Sequence, residues 1–167
     1  MKKIMVLLLV VFSIYCFSQD STFVANINTQ VKITKTNEIR LGLGVNHAFY
    51  SELGYAKHIT RVGCTGYLSK GYYVALEWLP ETSNFDNVYA LKTGYEIITM
   101  LGAIGLEAKY QTDFNEKDVV LTPKIGFGLL SYVFLSYGYN VSIRNQPFPN
   151  VGKHQLSITF NIPIRKK

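Results

Sequence analysis

The sequence predicts an all-β fold: a single antiparallel up-and-down β-barrel of the transmembrane type, with about ten strands and eight as the alternative count. Three observations carry this expectation. Apolar and polar residues alternate with period two along nearly all of the chain after Gln19, which is the mark of strands with one apolar and one polar face. The composition is strand-forming, with 12 Tyr, 10 Phe and 13 Gly against 5 Pro in 167 residues. Short and longer connections alternate between the runs, as in a meander whose two ends differ. With 48% hydrophobic and 17% charged residues, the chain is too apolar for intrinsic disorder. Its length suits one domain plus a targeting segment.

Residues 1–18 read as a secretory leader. Met1-Lys2-Lys3 is a basic head, the apolar run starts at Ile4 and extends through Tyr15, and Cys16-Phe17-Ser18 sets small residues at positions −3 and −1 before Gln19. The run is shorter than the roughly 20 residues of a spanning helix. Lipidation at Cys16 is the other reading, opposed by the bulky Tyr15 before it. Loss of Cys16 leaves Cys64 alone, so no internal disulfide is expected. Loss of Lys2 and Lys3 from the 17 basic residues leaves 15 against 11 acidic ones, a net charge near +4. The division is then 1–18 leader and 19–167 barrel domain.

The candidate strands follow in order at residues 23–34, 39–46, 49–59, 61–68, 72–78, 89–97, 104–110, 119–128, 133–141 and 155–162. Lys35-Thr36-Asn37 and the polar residues near His58 to Thr60 interrupt the alternation. Tight turns are expected near His47, Ser69, Thr99 and Leu130. Polar loops are expected at residues 80–87, 112–117 and 144–152, the last with Pro147 and Pro149. No helical crossover, repeat or linker divides the chain.

A soluble barrel turns its apolar face inward; a membrane barrel turns it outward and fills the lumen with polar groups. The polar face carries Lys32, Arg40, Glu52, Arg61, Glu77, Lys92, Glu96, Glu107, Lys109 and Lys124, whereas the apolar face carries essentially Lys57, near a strand end. A turn centred at Thr99-Met100 sets Lys92 opposite Glu107, and a tight turn at Ser69 sets Arg61 nearly opposite Glu77. Such pairing suits a confined lumen, where an unpaired charge is costly. Glycines crowd the same face at Gly42, Gly44, Gly54, Gly63, Gly94, Gly105, Gly126, Gly128 and Gly138, making room for large inward neighbours. On the apolar face Leu43, Cys64 and Ile158 are expected to point outward. Phe23, Tyr72, Trp78, Tyr89, Tyr110, Phe127 and Tyr139 sit near strand ends, as an interfacial girdle would. A soluble exported barrel with an apolar cavity is the alternative architecture.

The leader, period-two strands, tight turns and final strand from Gln155 to Ile164 together resemble the small outer-membrane β-barrels of Gram-negative bacteria. The Ser-Gln-Asp leader ending is similar to those of the Bacteroidota. The resemblance spans residues 19–167 and is one of pattern. It implies location in the outer membrane, with membrane lipid and an envelope protein met through the rim loops as partners. Final strands of that family often close on an aromatic residue; here Ile162-Pro163-Ile164 precede Arg165-Lys166-Lys167, which leaves Phe160 as the nearest aromatic. About eight strands enclose a space just wide enough for side chains, and ten add little. The expected role is therefore structural or interaction-based, with a narrow channel or small-solute transporter as the alternative.

No enzyme is expected. In a ten-strand meander His47 falls at the short-turn end, and His58 and His154 fall near the loop end with Glu81, Asp86, Asp113, Glu116 and Asp118. A rim His with carboxylates could activate water, and His154 with Ser157 or Ser142 is the one hydrolase-like set. The strands are too short to raise a cleft above a membrane, so these read as ordinary rim residues. No metal spacing, cofactor motif or nucleic-acid-binding face is present. Gly42-Leu43-Gly44 lies inside a strand and makes no phosphate loop.

Overall fold

A computed structural model describes residues 31–63, 66–81, 86–129, 131–144 and 148–164. The leader at 1–18, most of the first expected strand with Phe23, the lone Cys64 and the basic tail 165–167 lie outside the described residues.

Alternating sequence becomes long strands: β1 (Lys32–His47), β2 (Phe49–Gly63), β3 (Gly66–Leu79), β4 (Val88–Thr99), β5 (Gly102–Thr112), β6 (Lys117–Leu129), β7 (Val133–Tyr139), β8 (Val141–Ser142) and β9 (Val151–Pro163). Each sequence neighbour from β1 to β7 pairs antiparallel with the next, and β9 returns between β1 and β7. The sheet therefore closes on itself. Segments β7 and β8 are one stave, since both pair with β6 in a single register; the nine segments form eight staves. The break falls where Pro123 of β6 would face Tyr139. Proline has no N–H to give the ladder. Side chains bridge the gap: Thr122 Oγ1 donates to Asn140 Oδ1 at 2.7 Å, and Asn140 Nδ2 donates to the Gly152 carbonyl at 2.8 Å.

The count is eight rather than ten because two expected interruptions are continuous strand. Lys35, Thr36 and Asn37 pair with Ile59, His58 and Lys57 inside the β1–β2 ladder. Polar residues there mark a change on the outer face, not a turn. The chain reversal expected at Ser69 falls instead between Gly63 and Gly66, which pair with each other, and Gly66 takes a φ of 118° that favours glycine. That displacement reverses the faces around it: Val62 lines the inner mouth, and Arg61 lines a groove on the outer wall.

The two barrel ends differ. One holds the connections at 64–65, 100–101 and 130–132; the other holds those at 80–87, 113–116 and 143–150, together with the tight turn after His47. His47 therefore lies at the long-loop end, not at the short-turn end. Polarity is inverted relative to a water-soluble core. The outer wall exposes Leu43, Leu53, Leu76, Leu91, Leu106, Leu135 and Ile158, whereas Arg40, Glu52, Glu77, Lys92, Glu107 and Lys109 are buried inside. Trp78, Tyr89 and Tyr110 stand on the outer wall near the long-loop end, and Phe127 near the short-turn end.

Candidate functional site

The barrel interior has three zones, each set by which residues take the inward positions of their strands. At the long-loop end Tyr50, Leu79, Val88, Phe148 and Val151 form a buried apolar cap. At the short-turn end a vestibule of about 460 Å³ is lined by Thr34, Thr36, Glu38, Thr60, Tyr67 and Ser131 among others. Between them lies a chain of ion pairs.

That chain alternates in sign. Glu38 Oε2 meets His58 Nδ1 at 2.8 Å, and His58 Nε2 meets Glu96 Oε1 at 3.0 Å. Arg40 joins Glu96 at 3.0 Å to Glu52 at 2.8 Å. Lys92 Nζ stands between Glu52 Oε2 at 2.5 Å and Glu77 Oε2 at 2.8 Å. Lys109 bridges Glu77 at 3.4 Å and Glu107 at 3.3 Å, and Lys124 reaches Glu107 at 3.2 Å. Both imidazole nitrogens of His58 face carboxylate oxygens, which only accept, so the ring satisfies both contacts as a double donor. Within this chain the charges balance: Arg40, His58, Lys92, Lys109 and Lys124 against Glu38, Glu52, Glu77, Glu96 and Glu107. Balance matters because a lone charge in so confined a space carries a large desolvation cost.

Aromatic and amide groups complete the packing. The Arg40 guanidinium lies 3.8 Å from the Tyr73 ring centroid, and Tyr73 OH donates to Glu107 Oε2. Lys109 donates to Gln155 Oε1, and Gln155 Nε2 donates to Tyr50 OH at 2.7 Å, which ties the ion chain to the apolar cap. Inward glycines admit these rings. A Cβ at Gly71 would collide with the His58 imidazole, and one at Gly94 would lie 2.5 Å from the Tyr73 hydroxyl. The central void beside Arg40, Glu96 and Lys124 is only about 20 Å³, room for about one water.

Eight of the ten charges expected on the inward face come together inside: Arg40, Glu52, Glu77, Lys92, Glu96, Glu107, Lys109 and Lys124. Lys32 and Arg61 do not: Lys32 is exposed at the start of β1, and Arg61 lies on the outer wall opposite Leu68, not Glu77. The expected face-to-face pairing of Lys92 with Glu107 is also revised. Register sets Lys92 opposite Lys109, and Glu107 opposite Gly94, so Lys92 reaches Glu107 only diagonally, at 3.9 Å. Glu77 likewise stands opposite Glu52. Like charges oppose each other across the ladder, and opposite charges meet along diagonals.

Glu38 and Tyr50 escaped the sequence reading, because Glu38 borders a supposed break and Tyr50 an ill-defined stretch. Their strand parity, even-numbered like Arg40 and Glu52, was the available signal. His58 has the expected polar face but lies in the interior, not near the loop rim. His154 is exposed on the outer wall, where its Nδ1 meets Tyr137 OH at 2.6 Å, whereas Ser157 points inward to Ser136 at 2.7 Å and Ser142 donates to Asp118 at 2.6 Å. The hydrolase-like set is therefore not assembled. At the rim, Asp113 Oδ1 accepts the Glu116 N–H at 2.6 Å and the Asn115 N–H at 2.9 Å, and these bonds, led by that from Glu116, hold its carboxyl below the ordinary Asp range. Among the described residues no group of three or more His, Cys, Asp or Glu is placed to hold a metal ion. Comparison with known proteins finds no matching family model, no matching curated protein and no matching solved structure.

Proposed function

We propose that this chain is an integral outer-membrane β-barrel with a closed, charge-filled lumen, acting as a structural or interaction protein of the cell envelope and not as an enzyme. The observation that carries the reading is the inverted polarity. In water, a continuous wall of exposed Leu, Ile, Val and aromatic side chains is unfavourable, and a buried ionic core gains little over an apolar one. In a bilayer both features find their natural solvents: hydrocarbon outside, and a polar interior shielded from it. The basic head and apolar run of the leader support export. The sealed interior favours a non-conducting role, leaving the long-loop rim, including residues 113–116, as the surface for an envelope partner.

The test is extraction and gel migration of the full chain. A membrane barrel requires detergent for purification and migrates differently unheated than boiled. A protein that purifies as a soluble monomer without detergent, with one mobility, would replace this reading with the exported soluble barrel.

A further inference from the structure

The outer wall carries a feature that the lumen does not explain. Every acidic residue within the described strands points inward: Glu38, Glu52, Glu77, Glu96, Glu107 and Asp118 are buried or nearly so. The outer faces of those strands hold no carboxylate. They do hold basic residues, and four of these converge on one apolar side chain. In the ladder, Ile59 of β2 has Lys35 of β1 opposite it on one side and Lys70 of β3 opposite it on the other. Lys57 and Arg61 lie two residues to either side of Ile59 on the same strand, and so on the same face. Ile59 is thus ringed by four cations. Lys35, Arg61 and Lys70 are exposed and Lys57 is half-buried. Among the described residues none of the four is ion-paired.

The ring sits at one place on the barrel. It occupies the short-turn end of β1–β3, where β1 extends past Pro163, the last partner of β9 at Glu38. On the far side, the same end of the wall is apolar, with Ile104, Ile125, Phe127 and Leu135. Beside the ring runs a groove of about 210 Å³ lined by Ile59, Arg61, Leu68, Lys70, Tyr72 and Tyr95. Its lining combines the two cations Arg61 and Lys70 with apolar and aromatic side chains.

The geometry points to a binding site for the headgroup of an anionic phospholipid in the leaflet at the short-turn end, with its phosphate between Arg61 and Lys70 and an acyl chain running past Tyr72 and Tyr95. The inference rests on the outer-membrane reading above. Charge complementarity selects the occupant. A phosphate is matched by Arg's fork and by lysine point charges. Aromatic side chains of the Tyr72 and Tyr95 kind are favoured at the level of headgroups. A plain lipid annulus needs no cluster of unpaired cations on one side of the wall, and lysines kept only for solubility would be spread around it.

Native mass spectrometry of the full chain tests this after release from nanodiscs of phosphatidylcholine containing a minority of phosphatidylglycerol. The wild type is expected to retain phosphatidylglycerol well above its bulk fraction. Each basic residue near an anionic surface is worth about a fivefold preference, so the Arg61→Gln, Lys70→Gln double variant should lose most of the enrichment while still inserting and still shifting with heat. Lys117→Gln, at the other end of the outer wall, should leave the enrichment unchanged, as should an excess of inorganic phosphate. Equal phosphatidylglycerol retention by wild type and double variant would overturn the site while leaving the membrane reading intact. Displacement by inorganic phosphate would assign the cluster to a free anion, and a dimer mass without lipid would assign the face to a second copy; either overturns the proposal. Failure of the wild type to insert at all would instead defeat the membrane reading.

Discussion

Lys92 Nζ lies 2.8 Å from Glu77 Oε2, yet the strand ladder sets neither residue opposite the other: Lys92 faces Ala75 and Lys109, and Glu77 faces Glu52 and Ala90. One ammonium therefore separates two carboxylates that the ladder sets side by side. Lys92→Met should leave Glu52 and Glu77 facing each other without that cation, at a cost of about 3–5 kcal/mol. Lys124→Met removes a contact from Glu107 alone, and Glu107 keeps Lys109 and the Tyr73 hydroxyl, so its cost should be about 1–3 kcal/mol. Urea unfolding in detergent micelles measures both. Adding Glu52→Gln to Lys92→Met should recover part of the loss. Equal effects of the two lysine variants would mean that the ion chain has no centre.

Packing of rings against inward glycines yields a second expectation. Gly94→Ala would press a methyl against the Tyr73 phenol, which stacks on Arg40 and hydrogen-bonds Glu107. The destabilisation should be about 1–3 kcal/mol. A Cβ at Gly63 meets nothing closer than 3.5 Å, so Gly63→Ala should be near neutral in the same unfolding assay.

The division between wall and lumen was readable in the sequence because side-chain period fixes face. Eight of the ten charges read onto the inward face follow from counting by twos. What misled was register. Where the outer face turns polar, at Lys35, Asn37 and Lys57, the alternation loses contrast and mimics a turn. Counting Lys35 to Asn37 as a break added a strand. Placing the next reversal at Ser69 instead of between Gly63 and Gly66 turned Arg61 inward. Diagonal ion pairs were illegible for a related reason: with long side chains in a narrow barrel, sign is matched across three or four strands, and no two-strand alignment shows it.

The outer wall supplies a third test. Leu43 and Ile158 are register partners on the exposed face. Leu43→Asp or Ile158→Asp should cost about 3 kcal/mol near a bilayer centre and impair assembly. Ser157→Ala, one residue away but facing inward to Ser136, should cost about 1 kcal/mol for a lost hydrogen bond and still assemble. The heat-dependent mobility shift reports assembly for each variant. Normal assembly of both aspartate variants would contradict a lipid-facing wall.

Acid acts at the β5–β6 loop through Asp113. Its carboxylate accepts the Asn115 and Glu116 amides, so its folded pKa lies below the unfolded one. A depressed pKa contributes order that is present above the unfolded value and is lost as pH falls through the folded value. Hydrogen exchange at Asn115 and Glu116 should therefore stay protected through the ordinary Asp range near 4 and accelerate only below it. Asp113→Ala should remove that pH dependence, and an unchanged profile in the variant would assign the loop's order to other contacts.

The two lumen seals stand in series, which predicts how conduction depends on them. Across a planar bilayer the wild type should pass almost no current, since the ion chain leaves a void of only about 20 Å³ and Phe148 caps the long-loop end with Tyr50, Leu79, Val88 and Val151. Phe148→Ala alone opens the cap onto filled space and should not conduct. Replacing Glu52, Glu77, Lys92 and Lys109 by Ala removes two charges of each sign, so the net charge of the lumen is unchanged, but the cap still closes it. Only the combined variant, checked for folding by its heat-dependent mobility, should carry ions. Current from the four-alanine variant alone would show that the apolar cap does not seal. If the wild type itself conducts well, the filled lumen is not a barrier, and the narrow-channel reading takes the place of the structural one.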